Sequence, residues 1–222
     1  MFMNPGRIGV LMGGSSAERE VSLKSGEAVL RALKDAGNDA VGVVIGDGID
    51  AVRAIENARI DTAFLALHGR LGEDGCIQGL LEVLRIPYTG SSVMSSALAM
   101  DKLKAKELFR LHNVPTPPYY TVEASDADTK LEDLHGSFGF PVIVKPRREG
   151  SSIGVAKACN FFELASAIAS AMVYDDAVIV ERFIVAREVH VGILDGRVLG
   201  AVEVVPKSGV YDYASKYTPG AT

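Results

Sequence analysis

Lys145 and Pro146 close a β-rich apolar run, Val142-Ile143-Val144, and lead into Arg147-Arg148-Glu149-Gly150-Ser151-Ser152. A second apolar run, Ile153-Gly154-Val155, brings the chain back. This pattern predicts strand, loop and strand, with cations, hydroxyls and two glycines on the loop. Backbone N–H groups, hydroxyls and an ammonium on a tight loop are what a phosphate group requires. The loop is not of the Walker type, since GxxxxGK[ST] is absent. Taken alone, the same residues also fit an ordinary basic hairpin.

Three other places carry residues suited to chemistry. Gly13-Gly14-Ser15-Ser16-Ala17-Glu18 follows an apolar run at 7–12 and reads as a strand, a glycine turn and a helix start, with either serine as the cap. Such a unit aims a helix N-terminus past the carboxyl edge of a sheet, although Glu18 also fits a plain turn in which it favours the helix dipole. A strand at 62–67 runs into His68-Gly69-Arg70-Leu71-Gly72-Glu73-Asp74-Gly75. That loop lies where open α/β sheets bind ligands, and a structural histidine is the alternative. Lys102, Lys104 and Lys106 follow Asp101, a candidate cap for a second helical segment within 91–111. Positive charge is unfavourable at a helix start, which points to a ligand role for one of them; Lys104 and Lys106 fit a solvated face.

The elements that must hold these residues alternate. Strands at 7–12, 40–45 and 62–67 are separated by helices at 17–36 and 49–57, and a helix at 76–84 follows. Val21, Ala28, Val29, Ala32, Leu33 and Ala36 recur at helical spacing, with Gly37 at the C′ position. This βαβαβ order predicts a parallel α/β sheet. Pro115, Pro117 and Pro118 mark a linker, a short strand is expected at 119–122, and 123–129 reads as an acidic loop. Asn160 is placed to cap a helix reaching about Met172, and 177–181 is a strand. Strands at 188–194 and 197–205 flank Asp195-Gly196, a type I′ hairpin turn.

With 48% hydrophobic and 23% charged residues, the 222-residue chain is of ordinary globular composition, and its net charge of −5 offers no general attraction to nucleic acid. Cys76 and Cys159 form no CxxC and read as reduced, semi-buried thiols. No apolar run spans a bilayer and no signal peptide is visible, so a cytoplasmic location without membrane partners is the default.

Six stretches now stand in one order: GGSSAEREVS at 13–22, HGRLGEDGCIQG at 68–79, MDKLKAKELF at 100–109, KPRREGSSIGV at 145–155, VERF at 180–183 and YDYASKY at 211–217. Over essentially its whole length the chain resembles the D-alanine–D-alanine ligases, ATP-grasp enzymes of peptidoglycan synthesis. The resemblance implies an α/β fold, α+β in its central part. A Rossmann-like N-terminal domain at 1–90 precedes a central ATP-grasp subdomain at 91–184, and 185–222 begins the C-terminal ATP-grasp half with a mobile loop at 207–222. It also implies that Glu18, Ser151 and Tyr217 form a hydrogen-bonded triad, with Glu18 meeting the D-alanine ammonium and His68 near the first D-alanine. Lys102 and Lys145 match phosphate-binding lysines. Ser152 falls in the ATP-binding loop motif. Glu181, Phe183 and Ile184 match the adenine-binding strand and hinge, Glu188 the ribose carboxylate, and Lys216 the loop that closes over the phosphates.

ATP and Mg²⁺ are the implied cofactors, D-alanine the substrate and a homodimer the implied assembly. The family's metal ligands, and an arginine that stabilises its tetrahedral intermediate, lie beyond the last matched motif, so the chain reads as an N-terminal fragment. Arg147 stands where a small residue is common and Arg182 where a lysine is frequent. A non-catalytic fragment that binds nucleotide or substrate, and a ligase taking D-serine second, are the alternatives; Tyr217 argues against the D-lactate type. On this reading residues 1–222 alone are expected to show no D-alanyl-D-alanine synthesis. Phosphate release with D-alanine, ATP and Mg²⁺, measured beside a C-terminally extended protein, checks this, and comparable turnover by both would contradict it.

Overall fold

The computed structural model describes residues 5–126 and 128–205. The chain divides between Ala105 and Lys106 into two compact units.

In the first unit the order is β1 (Ile8–Gly13), α1 (Arg19–Asp35), β2 (Ala40–Ile45), α2 (Ile49–Ala58), β3 (Thr62–Leu65), α3 (Cys76–Val83) and α4 (Val93–Met100). The strands form a parallel sheet ordered β2-β1-β3, and Tyr88 adds a parallel bridge to Ala63. Central β1 is buried at every position, because a parallel strand covered on both faces must be apolar throughout. One face packs Leu11, Val43, Ile55, Ile77 and Leu81; the other packs Val10 and Met12 against α1.

The buried stripe of α1 is only in part the one expected from its apolar spacing: Val29 and Leu33 belong to it, the alanines do not. Ser22 and Gly26 face the sheet with Leu23, Val29, Leu30 and Leu33, whereas Ala28, Ala32 and Ala36 are exposed. The reason is close approach: a Cβ on Gly26 would stand 2.5 Å from Met12 Cβ, so only glycine lets the helix lie so near β1. Gly37 does end the helix at C′, with φ 82°, and donates to the Lys34 carbonyl while Asn38 donates to that of Leu33, a Schellman motif. Asp101 separates α4 from α5 (Lys102–Leu111), its Oδ1 accepting from Leu103 N–H at 3.0 Å and Lys104 N–H at 3.2 Å.

The second unit is built on an antiparallel sheet ordered β4-β7-β5-β6, made of β4 (Tyr119–Glu123), β5 (Val142–Pro146), β6 (Ala156–Ala158) and β7 (Ala177–Arg182). Period-two alternation sends Val142 and Val144 of β5, Val178 and Val180 of β7, and Val122 into a core with Leu164, Ile168 and Ala171 of α7 (Phe161–Ala171). Asn160 caps α7 in a reciprocal box: its Oδ1 accepts from Glu163 N–H, while Glu163 accepts from Cys159 N–H. The return strand of the central hairpin begins later than its apolar residues suggest. Residues 151–154 are turn, and pairing with β5 starts at Ala156. The acidic stretch after β4 holds a 3₁₀ turn at Ala124–Asp126, and α6 (Leu131–His135) follows as a helix with no clear sequence signal. Both cysteines are exposed rather than semi-buried. A separate hairpin, β8 (Glu188–Leu194) and β9 (Arg197–Val204), turns through Asp195 and Gly196 with φ 47° and 74°, as a type I′ turn requires.

His135, the last residue of α6, is 4% exposed, stacked on Phe140 with centroids 4.5 Å apart, and edged by Phe138 and Phe161. Its Nδ1 meets the Tyr120 hydroxyl at 2.8 Å, and burial pushes that phenol up to about 12. Burial lowers the pKa of His135, opposed by a backbone hydrogen bond at Gly139. The folded state therefore binds the proton less readily than the unfolded chain. Stability is complete above the ordinary value near 6.5 and falls as pH drops from there toward the depressed folded value, by at most about 1.4 kcal/mol per pH unit from this one group. Urea midpoints between pH 7.5 and 5.5 are expected to fall more steeply for the native protein than for His135→Phe; equal slopes would contradict the assignment.

Candidate functional site

The first unit gathers its chemistry where β1 and β3 end. The Ser22 hydroxyl accepts from Gly13 N–H at 2.9 Å and donates to the Ala66 carbonyl at 2.7 Å, fixing the start of α1 to both strands. Ser16 does not cap α1. The N-cap position is Glu18, without a side-chain cap, because the Ser16 hydroxyl accepts from Glu18 N–H and donates to the His68 carbonyl at 2.7 Å. The contact ties the glycine turn to the His68 loop. Glu18 is 3% exposed, and a Cβ on Gly69 would lie 2.5 Å from Glu18 Oε2, so Gly69 leaves room for that carboxylate.

The loop after β3 braces itself. Asp74 accepts from Leu71 and Cys76 N–H, Glu73 accepts from Gly69 N–H at 2.8 Å, and the buried Gln78 amide donates to the Gly72 carbonyl. His68 Nδ1 stands 3.7 Å from Glu73 Oε1. The bond to Glu73 raises the pKa of His68 against the opposing effect of burial, with a smaller contribution from the negative charge of Glu18. The structure thus brings Glu18 and His68 to one edge of the sheet: a buried carboxylate beside an imidazole biased toward its charged form. Lys102, at the start of α5, is half-buried.

In the second unit the site lies on the sheet face opposite the core. Lys145 of β5 and Glu181 of β7 share that face, with Ile143 paired to Glu181 and Ile179 to Lys145. Lys145 Nζ donates to Glu181 Oε2 at 2.8 Å. Glu181 is buried, and its second oxygen, Oε1, is 3.3 Å from Lys106 Nζ. Lys106 is therefore not on a solvated face: its side chain is 7% exposed and also donates to Thr116 Oγ1 at 2.6 Å and the Pro117 carbonyl at 3.2 Å. Sequence reasoning missed it because the carboxylate it meets, Glu181, lies far along the chain. Exposed Lys104 does fit a solvated face.

The loop joining β5 to β6 is held at its base by Arg148, whose guanidinium forks onto Asp175 and also reaches Asp176. Beyond that base, Ser151 and Ser152 both take left-handed backbone, φ 47° and 59°, followed by Gly154 at 67°. At Gly154 a Cβ would meet Pro146 and Tyr174 within 3 Å, so the loop can fold down only on glycine. Past β7, Phe183 N–H donates to the Pro141 carbonyl, its ring lies under Lys157 Nζ at 4.2 Å, and Ile184 is exposed. Lys157 is a second residue with no sequence signal; its register opposite Ile143 puts it on the site face. Glu188 opens β8 and is within 3.0 Å of His190 Nε2. Lys216 and Tyr217 lie outside the described residues.

Among the described residues no group of three or more His, Cys, Asp or Glu is placed to hold a metal ion, and no helix is long and apolar enough to cross a membrane.

Comparison with known proteins follows the same division. A family model described as D-ala D-ala ligase N-terminus matches residues 47–91, and one described as D-ala D-ala ligase C-terminus matches 108–222. A D-alanine–D-alanine ligase of Geobacter sulfurreducens is 52% identical over 214 residues, covering 96% of this chain and 66% of the relative. The D-alanine–D-alanine ligase of Bacillus anthracis complexed with ATP superposes with a TM-score of 0.78 at 34% identity, covering 89% of this chain and 65% of that one. The VanG D-Ala:D-Ser ligase of Enterococcus faecalis gives 0.76 at 31%, covering 96% and 74%. The chain thus spans about two thirds of the length of the curated relatives it matches.

The His68–Glu73 pair has a direct readout. The imidazole is expected to titrate above 6.5 by NMR, and Glu73→Gln is expected to bring its midpoint down, since the bond to Glu73 is the largest cause of the rise. An unchanged midpoint in the variant would contradict the pairing.

Proposed function

This chain belongs to the D-alanine–D-alanine ligase family, and from that premise we propose that it supplies the first-substrate edge and the nucleotide face of an enzyme joining two D-alanines at the expense of ATP. The observation that carries the reading is the buried carboxylate of Glu181 held between Lys106 and Lys145, beside a loop of left-handed serines. A carboxylate is a poor electrophile. Transfer of the γ-phosphoryl group of ATP to one D-alanine carboxylate gives an acyl phosphate and ADP. Attack by the amine of the second D-alanine then forms the peptide bond, loses a proton and releases phosphate. Positioning and charge neutralisation supply most of the catalysis of such a transfer.

The roles are those the family resemblance implies for the matching positions. Buried Glu18 meets the ammonium of the first D-alanine, with His68 beside it. Lys145 and Lys102 meet phosphate oxygens, joined by Ser152 and by Lys216 from the segment at 207–222. Glu181 accepts from the adenine amine, Phe183 and exposed Ile184 flank the base, and Glu188 takes the ribose hydroxyls. Ser151 and Tyr217 complete a hydrogen-bonded triad with Glu18 that couples substrate to loop closure, which keeps water from the acyl phosphate. A bound Mg²⁺ would neutralise phosphate charge; the described residues of this chain offer no ligand set for it, and no step is assigned through it. Domains at 1–90, 91–184 and 185–222, a cytoplasmic location and a homodimer belong to the same proposal. D-serine as second substrate is the runner-up, supported by the likeness to the VanG ligase.

A chimera tests the proposal: this chain joined to the C-terminal third of the Geobacter relative is expected to release phosphate only with D-alanine and ATP present together. In it, Lys145→Ala is expected to raise the ATP requirement at least tenfold, through loss of a charge-assisted contact worth roughly 1.5–3 kcal/mol, while Lys104→Ala changes little. Tyr217→Phe is expected to cost about 0.5–1.5 kcal/mol in turnover with little change in ATP binding. Equal behaviour of the two lysine variants, or unchanged synthesis in Tyr217→Phe and Ser151→Ala alike, would contradict the assignments.

A further inference from the structure

Lys106 meets neither substrate nor nucleotide in the scheme above, yet it is the more deeply buried of the two cations on Glu181. Its ammonium holds the Thr116 hydroxyl at 2.6 Å, the Pro117 carbonyl at 3.2 Å and Glu181 Oε1 at 3.3 Å, and it lies 5.0 Å from the centroid of the Tyr119 ring. An ammonium so enclosed has exchanged its hydration shell for fixed partners, and it cannot leave without stranding them. Burial lowers its pKa, opposed by Glu181 and reinforced by the like charge of Lys145. Lys145 is placed differently. It holds the other oxygen of Glu181 at 2.8 Å, but its side chain is 29% exposed. One cation on the carboxylate is therefore anchored and the other can move.

We propose that Lys106 is a positioning residue of the nucleotide site: it pins Glu181 by one oxygen, so that Lys145 can turn from the other oxygen to a phosphate without leaving the buried carboxylate unpaired. The proposal rests on the nucleotide reading of Lys145 and Glu181. It also carries a consequence for base selection. Once Lys145 has turned away, Glu181 Oε2 is an acceptor fixed in direction. A purine with a 6-amino group offers it an N–H, whereas a 6-oxo purine presents a second acceptor and is refused. Without Lys106, Glu181 is free to give both oxygens to Lys145, which weakens phosphate binding and blurs that choice.

Two measurements on the full chain test this. Calorimetric titration with ATP and with ITP is made on the native protein, Lys106→Met, Lys106→Gln and Lys106→Arg, and crystal structures without nucleotide are compared for the native protein and Lys106→Met. Lys106→Met and Lys106→Gln are expected to bind ATP about tenfold more weakly, to lose most of the preference for ATP over ITP, and Lys106→Arg to recover part of both. In the Lys106→Met crystal the Glu181 carboxylate is expected to rotate onto Lys145. Glu181 and Lys145 unmoved, with an unchanged ATP-to-ITP ratio in the folded variants, would overturn the proposal. Failure of the native chain to bind either nucleotide would count against the nucleotide reading, and the position of Glu181 in Lys106→Met then decides the positioning role alone. A purely structural lysine would change stability without moving the nucleotide ratio.

Discussion

The second unit turns on a single carboxylate. Glu181 sits near the end of the inner strand β7, buried, with one oxygen on Lys106 and the other on Lys145. A lone charge in that position would be ejected or neutralised, because its desolvation is not recovered. Two ammonium groups make it tenable, and removing either would cost several kcal/mol, about 3–5 for a fully buried pair and less for partly exposed Lys145. The arrangement constrains everything around it. Strand β5 must present Lys145 two residues beyond Ile143, the partner of Glu181, and α5 must run so that Lys106 reaches the same carboxylate. The Pro117 carbonyl and the Thr116 hydroxyl must meet the ammonium that helix delivers.

The sheet makes this possible by keeping its two faces chemically separate. Val142, Val144, Val178 and Val180 fill the core under α7, and the alternate residues Ile143, Lys145, Ile179 and Glu181 form the other face. A slip of one residue in the pairing of β5 and β7 would put Lys145 into the apolar core and a valine on the opposite face, so the aliphatic core sets the register of the charges. The first unit uses a different device. There the groups lie on loops beyond a parallel sheet, and hydrogen bonds from Ser16 and Ser22 join the two strand ends to the start of α1. Gly69 and Gly26 supply the space that lets these elements approach.

Much of this was legible in the residues, and what was not has identifiable causes. Alternating apolar runs located the strands, Asn160 and Asp101 announced their helices, and Asp195-Gly196 fixed a hairpin. These are local signals, carried within one turn of the chain. The reading of Ser16 as a cap failed because its hydroxyl serves a carbonyl in the His68 loop, distant in sequence. The buried face of α1 was only partly identified: Val29 and Leu33 were expected, but Ser22 and Gly26 were missed because apolar spacing does not register a glycine chosen for close packing. Lys106 looked solvated because a helix bearing Lys102, Lys104 and Lys106 carries no sign of which one turns inward; that is decided by a carboxylate on another strand. The resemblance of motifs identified Lys145 and Glu181 separately, but not that a third residue binds them into one unit.

The most direct measurement of this account is hydrogen–deuterium exchange on the full chain with and without ATP and Mg²⁺. If the Glu181-centred face receives the nucleotide, exchange slows in residues 142–157, which carry Lys145 and the serine loop, and in 177–184, while β1, β2 and β3 are little changed. Unaltered exchange in both segments, or protection confined to the first unit, would contradict it.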